Sequence, residues 1–283
     1  MTKPKLCSAS AACFRTNAGG PISTAVVCVA PSWPERSWSN ELCSAHKRLA
    51  SGRHRSGDTM ATAPRRLTRR TTEEFTALVG TSVRKSLTAA RLGAQTSATR
   101  PMTTPTPLPA TPWHFPHPDT ADPHGVVGVG ADLEPATLIR AYETGMFPMP
   151  AGENDDETIA WWSPPHRGVL QFEDLRVTRS LRRSCRRYRV TVNHAFDQVI
   201  RACAELPRDG AWISPAIIKA YERLHALGWA HSVEVWHQEQ LVGGLYGVQI
   251  GGLFAGESMF HTANDASKVA LVALVSGLSL IHI

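Results

Sequence analysis

Three absences narrow the chemistry available to these 283 residues: there is no Cys-x-x-Cys pair, no Gly-x-Ser-x-Gly elbow and no long apolar run. A helical membrane span needs about 20 consecutive apolar residues, so no membrane partner is expected. The six cysteines (Cys7, Cys13, Cys28, Cys43, Cys185 and Cys203) are scattered singly, which argues against a disulfide framework. A reduced compartment, the cytoplasm, is the expected location. "GVVGVGAD" matches a dinucleotide fingerprint only in part and opens no strand–crossover unit. His114, His117 and His124 lie in a Pro-rich loop rather than at metal-ligand spacing, so no metal is expected.

What is present is unevenly distributed. Residues 1–112 hold 16 Lys and Arg against 5 Asp and Glu, and residues 113–283 hold 14 against 19. The excess positive charge of the chain, +6 overall, therefore belongs entirely to the first segment. That segment is rich in Ser, Thr, Ala, Arg and Pro ("SGRHRSGDTMATAPRRLTRR") and shows little periodicity beyond a short helical pattern near Glu73–Val79. Such a composition buries too little apolar surface to fold. Residues 1–112 read as a disordered basic tail, as a mitochondrial-type presequence, or as translated leader upstream of a start at Met102.

From Trp113 the pattern becomes that of a folded protein. Residues 113–177 read as a small domain and residues 178–277 as a larger one. "EPATLIRAYETG" predicts a helix, with Pro135 in the first turn, Leu138, Ile139 and Tyr142 on one side and Gly145 as the stop. Adjacent Trp161 and Trp162 lie on a strand and point to opposite faces, so at most one is expected in the core. Thr178 and Ser214 are positioned as helix caps, with Pro215 in the first turn and Gly228 at the end of the second helix. "HSVEVWH", "LVGGLYGVQI" and "GLFAGESMF" read as consecutive antiparallel strands. A last helix follows over "NDASKVALVALVSGL", with Asn264 or Asp265 as its cap. The order β-α-α-β-β-β-α predicts an α/β (α+β) domain.

Three constellations carry chemistry. The first is a run of arginines, Arg176, Arg179, Arg182, Arg183, Arg186, Arg187 and Arg189, without an intervening acid. On a helix the middle five share one broad face. Like charges at that spacing repel, whereas guanidinium forks match phosphate oxygens, so a polyanion such as RNA is the expected partner. The second is aromatic: Trp161, Trp162, Trp212 and Trp236 with Tyr246 and Phe254, open to packing or to base stacking. The third is "LVGGLYGVQIGGLFAGESMF", where glycines in two adjacent strands allow close approach of a ligand or of backbone. There Leu245, Phe254 and Met259 would shape an apolar cleft with Glu257 on its wall. The alternative pairs Glu257 with Lys268 or an arginine, since a buried carboxylate needs a partner.

Together "GVVGVGADLEPATLIRAYETGMFPMP", "WWSPPHRGVL", "GAWISPAIIKAYERLHALGWAHSVEVW", "LVGGLYGV" and "LFAGESMF…NDASKVAL" resemble the bacterial leucyl/phenylalanyl-tRNA–protein transferases from about Phe115 to Leu278. The resemblance implies a small N-terminal domain followed by a GNAT-type acyltransferase domain. It implies transfer of Leu or Phe, less well Met, from aminoacyl-tRNA to the N-terminal Arg or Lys of a protein, marking it for degradation, by a monomer without a cofactor. It assigns Leu245, Phe254, Gly256 and Met259 to the pocket for the transferred side chain and Trp212 to the terminal adenosine of the tRNA. Arg179, Arg182, Arg183, Arg186 and Arg187 correspond to the helix that binds the acceptor stem, and Glu257 to the active-site glutamate. Met149 stands where some members carry a tryptophan. Two other readings remain beside it: a GNAT-type N-acyltransferase that uses acyl-CoA, and an RNA-binding module alone.

A sheet of that type continues after the last helix with β-α-β, and the family's Asp-x-Gln motif on the next strand has no counterpart here. The final "LSLIHI" back-translates to CTG TCT CTT ATA CAC ATC, the mosaic end of a sequencing transposon. Residues 278–283 are accordingly expected to be read-through of an adaptor, and the chain to be truncated and inactive.

Overall fold

The computed structural model describes residues 104–151, 158–164, 166–206 and 212–281, with the backbone of three short strands nearer the N-terminus. These three are β1 (Leu6–Ser8), β2 (Val26–Val29) and β3 (Gln95–Thr96). The expected helix near Glu73–Val79 lies outside the described residues, as does most of the segment read as a disordered tail. Residues 104–112, placed in that tail by composition, lie against the folded part. Thr106 N donates to Leu227 O at 2.8 Å, Trp229 Nε1 donates to Thr106 O at 2.9 Å, and Leu108 packs on the main core.

The first folded unit is a three-stranded antiparallel sheet, β4 (Val126–Val129), β5 (Phe147–Pro150) and β6 (Ile159–Trp162), with β6 in the middle. Helix α1 (Pro135–Glu143) precedes β5 and ends as its sequence predicts. Gly145 takes φ +84°, which a residue with a Cβ resists. Its N–H donates to Tyr142 O at 3.0 Å, and Met146 N donates to Ala141 O at 2.8 Å, closing a Schellman turn. Trp161 and Trp162 are both buried, at 2% and 6% exposure, against the expectation that only one would be. They do point to opposite faces, but both faces of β6 are covered. Trp161 joins the main core and Trp162 a smaller cluster with Val126, Met149 and Ala160.

The larger sheet is an antiparallel ladder of β8 (Arg189–Val192), β9 (Ala230–His237), β10 (Gln240–Ile250) and β11 (Leu253–His261), in the order β11-β10-β9-β8. Strand β7 (His166–Gln171) pairs with β1 and β2, β2 runs parallel to β11, and β3 parallel to β8. Helices α3 (Phe196–Ala204) and α4 (Pro215–Ala226) share one core with α1 and with Tyr246, Val248 and Phe260 of the sheet. Helices α2 (Arg179–Arg187) and α5 (Ala266–Ile281) share the other with Val233, Val235, Leu245 and Phe254. The sheet is thus covered on both faces.

Local signals explain the ends of these helices. Thr178 Oγ1 accepts from Leu181 N at 3.2 Å and Ser214 Oγ from Ile217 N at 3.3 Å, both caps read from sequence. Gly228 closes α4 with the same turn as Gly145. Helix α3 has Ala195 at its cap position and no capping side chain of its own. The fully buried carboxylate of Glu234 on β9 takes that place, accepting from His194 N at 3.4 Å and Ala195 N at 3.3 Å. Thr191 and Ser232 hydroxyls donate to it at 2.5 Å each, so the buried charge is held at a helix N-terminus and hydrogen-bonded. Asp265 precedes α5, where its carboxylate accepts from Lys268 Nζ at 2.7 Å and Ser184 Oγ at 3.0 Å, tying α5 to α2.

Candidate active site

Glu257 sits in an irregularity of the β10–β11 pairing. Tyr246 opposes Ser258 and the next residue, Gly247, opposes Gly256, so Glu257 has no partner across the ladder. One extra residue on one strand is a β-bulge, which bends the strand and redirects a side chain. The glycine beside it is required by packing. A Cβ on Gly247 would lie 2.2 Å from Ala255 O and 2.5 Å from the Phe254 ring. The close approach that the sequence left open to a ligand is made here by the chain's own backbone and a phenylalanine.

The bulge aims Glu257 at two tyrosines. Tyr221, on α4, donates its hydroxyl to Glu257 Oε2 at 3.5 Å, and Tyr142, near the end of α1, hydrogen-bonds to Tyr221. Both tyrosines are buried, and Tyr246 meets the Tyr221 ring edge-on at 5.8 Å. Removal from water raises the Glu257 carboxyl to about 7, opposed by hydrogen bonding from Tyr142 and Tyr221 and by the charge of Arg167. The residue as a whole is half-buried. Burial and the nearby carboxylate push both tyrosine hydroxyls well above their ordinary value, so both remain neutral. Arg167 Nη2 donates to Gly145 O, and its guanidinium lies 5.6 Å from the Phe147 ring centre.

Of the partners suggested from sequence, an arginine is present: the charge of Arg167 acts on Glu257. Lys268 is engaged with Asp265. Tyr142, Tyr221 and Arg167 were missed as site residues; Tyr142 reads as part of the apolar side of its helix. The available signal was a buried phenol, whose hydroxyl needs a partner.

Leu245, Phe254 and Met259 come together as expected, but in the cluster beneath α5. Met259 pairs with Leu245 across the ladder, and Gly256 falls opposite Gly247. Glu257 instead reaches the face of the sheet that carries Tyr221 and Tyr246. The expected single wall is therefore two faces of β11 joined at the bulge. Trp212 precedes the Ser214 cap of α4 and packs, partly buried, against both the main core and the Trp162 cluster.

The arginine helix matches its sequence reading closely. Cys185 is buried and Leu181 and Ser184 are half-buried, facing inward, while Arg179, Arg182, Arg183, Arg186 and Arg187 are exposed. Among the described residues no ion pair within 4.0 Å engages any of the five. Arg189 differs: it pairs with Glu239 at 2.9 Å and lies over the Trp236 ring.

The chain is thus an α/β protein with a carboxyl near neutrality on β11 and, on the helix α2, five arginines that are exposed. Comparison with known proteins narrows that class. The family model described as leucyl/phenylalanyl-tRNA protein transferase matches residues 169–282, and that of its N-terminal domain matches residues 131–165. The leucyl/phenylalanyl-tRNA–protein transferase of Shewanella denitrificans is 51% identical over 164 residues, 57% of this chain and 69% of the relative. That of Yersinia enterocolitica is 52% identical over 171 residues, 59% of this chain and 71% of the relative. That of Syntrophotalea carbinolica is 51% identical over 172 residues, 59% and 74% of the two chains. The chain belongs to the leucyl/phenylalanyl-tRNA–protein transferase family.

Proposed function

We propose that the chain is an aminoacyltransferase that moves Leu or Phe, less well Met, from aminoacyl-tRNA to the N-terminal Arg or Lys of acceptor proteins in the cytoplasm, acting as a monomer and marking the acceptors for degradation. The observation that carries the reading is Glu257, held on a bulge with its carboxyl near 7, in a chain 51–52% identical to transferases of that name over 57–59% of its length.

An aminoacyl ester on tRNA is already activated, so the protein chiefly aligns ester and amine. The acceptor α-amine must be neutral to attack. A carboxyl that is about half ionised near neutral pH is matched to that task. Glu257 takes one proton from the acceptor ammonium, the amine nitrogen attacks the ester carbonyl, and the C–N bond forms. The C–O bond to the ribose breaks, and the second amine proton leaves with the ribose oxygen. The same carboxylate is also placed to attract the cationic side chain of the acceptor residue. Leu245, Phe254, Gly256 and Met259 are assigned to the transferred side chain and Trp212 to stacking on the terminal adenosine. The five exposed arginines are assigned to the acceptor-stem phosphates, where guanidinium forks act bidentately. No cofactor is required, because the ester supplies the driving force.

The test is transfer of labelled leucine from charged tRNA to a peptide with N-terminal Arg, compared with the same peptide blocked at its amine. It is run with this chain and with a chimaera that continues after Leu278 with the remaining residues of a relative. Label on the free peptide and none on the blocked one supports the reading; label on neither from both proteins contradicts it. Labelling of the amine from acyl-CoA instead would favour an acyl-CoA transferase.

A further inference from the structure

We propose that Tyr142 and Tyr221 are positioning residues that aim Glu257 and set the ease with which its carboxyl takes and gives up a proton, making the small first unit a working part of the catalytic centre. The inference rests on the transfer reading above.

The direction of the hydrogen bonds follows from counting protons. Each phenol has one. Tyr221 donates its proton to Glu257 Oε2, so its oxygen is the acceptor in the bond with Tyr142. When the carboxyl is ionised, Tyr221 donates to it and the one Tyr142 proton is shared between the Tyr221 oxygen and the carboxylate. When the carboxyl is protonated, the direction reverses: Glu257 donates to Tyr221, Tyr221 to Tyr142, and Tyr142 to the other carboxyl oxygen, since it too hydrogen-bonds with Glu257. Neither state leaves a buried donor without an acceptor. Two hydroxyls in series therefore allow a carboxyl to change state inside protein.

The elements that hold these groups are far apart in the chain. Tyr142 lies on α1 immediately before the Schellman turn, 79 residues from Tyr221 on α4. Arg167 lies on β7 and donates to the carbonyl of Gly145 in that same turn. The turn that ends α1 thus fixes both Tyr142 and the nearest cation. The titratable and charged groups facing Glu257 are then Tyr142 from α1, Tyr221 from α4 and Arg167 from β7, with Tyr246 of β10 behind Tyr221. The 3.5 Å contact is long for a hydrogen bond, and such contacts tighten when substrate binds. Hydrogen bonds from the two phenols oppose the effect of burial on Glu257.

The experiment is a titration by carbon NMR of the glutamate carboxyls in the full chain, as wild type, Tyr221→Phe and Tyr142→Phe. Each substitution removes one hydroxyl and keeps the ring, and the Glu257 signal is assigned by its absence in Glu257→Gln. Losing a donor to the ionised form raises the midpoint by about one pH unit in Tyr221→Phe, and Tyr142→Phe raises it as well. In transfer assays the acidic limb of kcat moves up by the same amount, the rate recovers at higher pH, and KM for charged tRNA is unchanged. A Glu257 midpoint unmoved in both variants overturns the proposal, as does a rate lowered equally at every pH. The titration needs no substrate, so an unmoved midpoint refutes the positioning role and leaves the transfer reading intact. A moved midpoint in a protein without transfer supports the positioning role and refutes the transfer reading alone.

Discussion

Replacing Glu257 by Gln should reverse the way stability responds to pH. A carboxyl at about 7 in the folded chain ionises at about 4.5 in the unfolded chain. Between those values the folded state keeps a proton that the unfolded state has released. The unfolded state binds fewer protons, so stability falls as pH rises through the window, and the loss is complete above about pH 8. Each pH unit between the two values corresponds to about 1.4 kcal/mol, giving about 3 kcal/mol in full. Glu257 retains some contact with solvent, which reduces this to about 2–3 kcal/mol.

His231 acts oppositely over an overlapping range. Burial lowers its imidazole to about 4, so the unfolded state binds the extra proton and stability rises with pH up to about 6.5. The wild type alone is therefore a poor reporter, and the difference between variant and wild type isolates Glu257. Urea unfolding followed by tryptophan fluorescence at several values from about pH 5 to pH 8 measures it. The stability of Glu257→Gln relative to wild type should rise by about 2–3 kcal/mol across that range. A difference constant to within about 0.5 kcal/mol would refute the claim that the carboxyl is desolvated as described.

Three further outcomes follow from other parts of the structure. Arg182→Ala with Arg186→Ala should weaken binding of charged tRNA about tenfold or more and flatten its dependence on log salt by about two phosphate contacts; fluorescence anisotropy across a salt series checks this, and an unchanged slope would remove the helix from the interface. Gly247→Ala should cost about 2–3 kcal/mol in urea unfolding, because its Cβ meets Ala255 O and the Phe254 ring well inside contact distance. Glu234→Ala should cost about 3 kcal/mol or more by leaving Thr191, Ser232 and the N-terminus of α3 without their acceptor; thermal unfolding measures this, and a loss below about 1 kcal/mol would show that water replaces the carboxylate.

The parts of this fold legible in the sequence are those set by short-range rules. Thr178, Ser214, Gly145 and Gly228 act within one turn of a helix, and each does what its position predicts. The three-strand meander follows from alternation, and the exposure of the arginines from helical spacing. The site was legible only at Glu257, as a carboxylate in an apolar strand. Its bulge was not, because a one-residue offset depends on how β10 and β11 pair rather than on either strand alone. Nor were its partners, because Tyr142 and Tyr221 meet only after two helices far apart in the chain pack together. Trp161 and Trp162 show the same limit: alternation gave their opposite directions, while tertiary packing covered both faces.

The central claim is that Glu257 handles the proton of an attacking amine, and transfer of labelled leucine from charged tRNA to an Arg-terminated peptide, by the chimaera defined above as wild type and as Glu257→Gln, tests it most directly. The carboxyl near 7 implies a rate for the wild type that rises through neutral pH and levels above it, and a loss of about a hundredfold in the variant with the acidic limb removed. Equal rates for the two proteins across the whole pH range would contradict it.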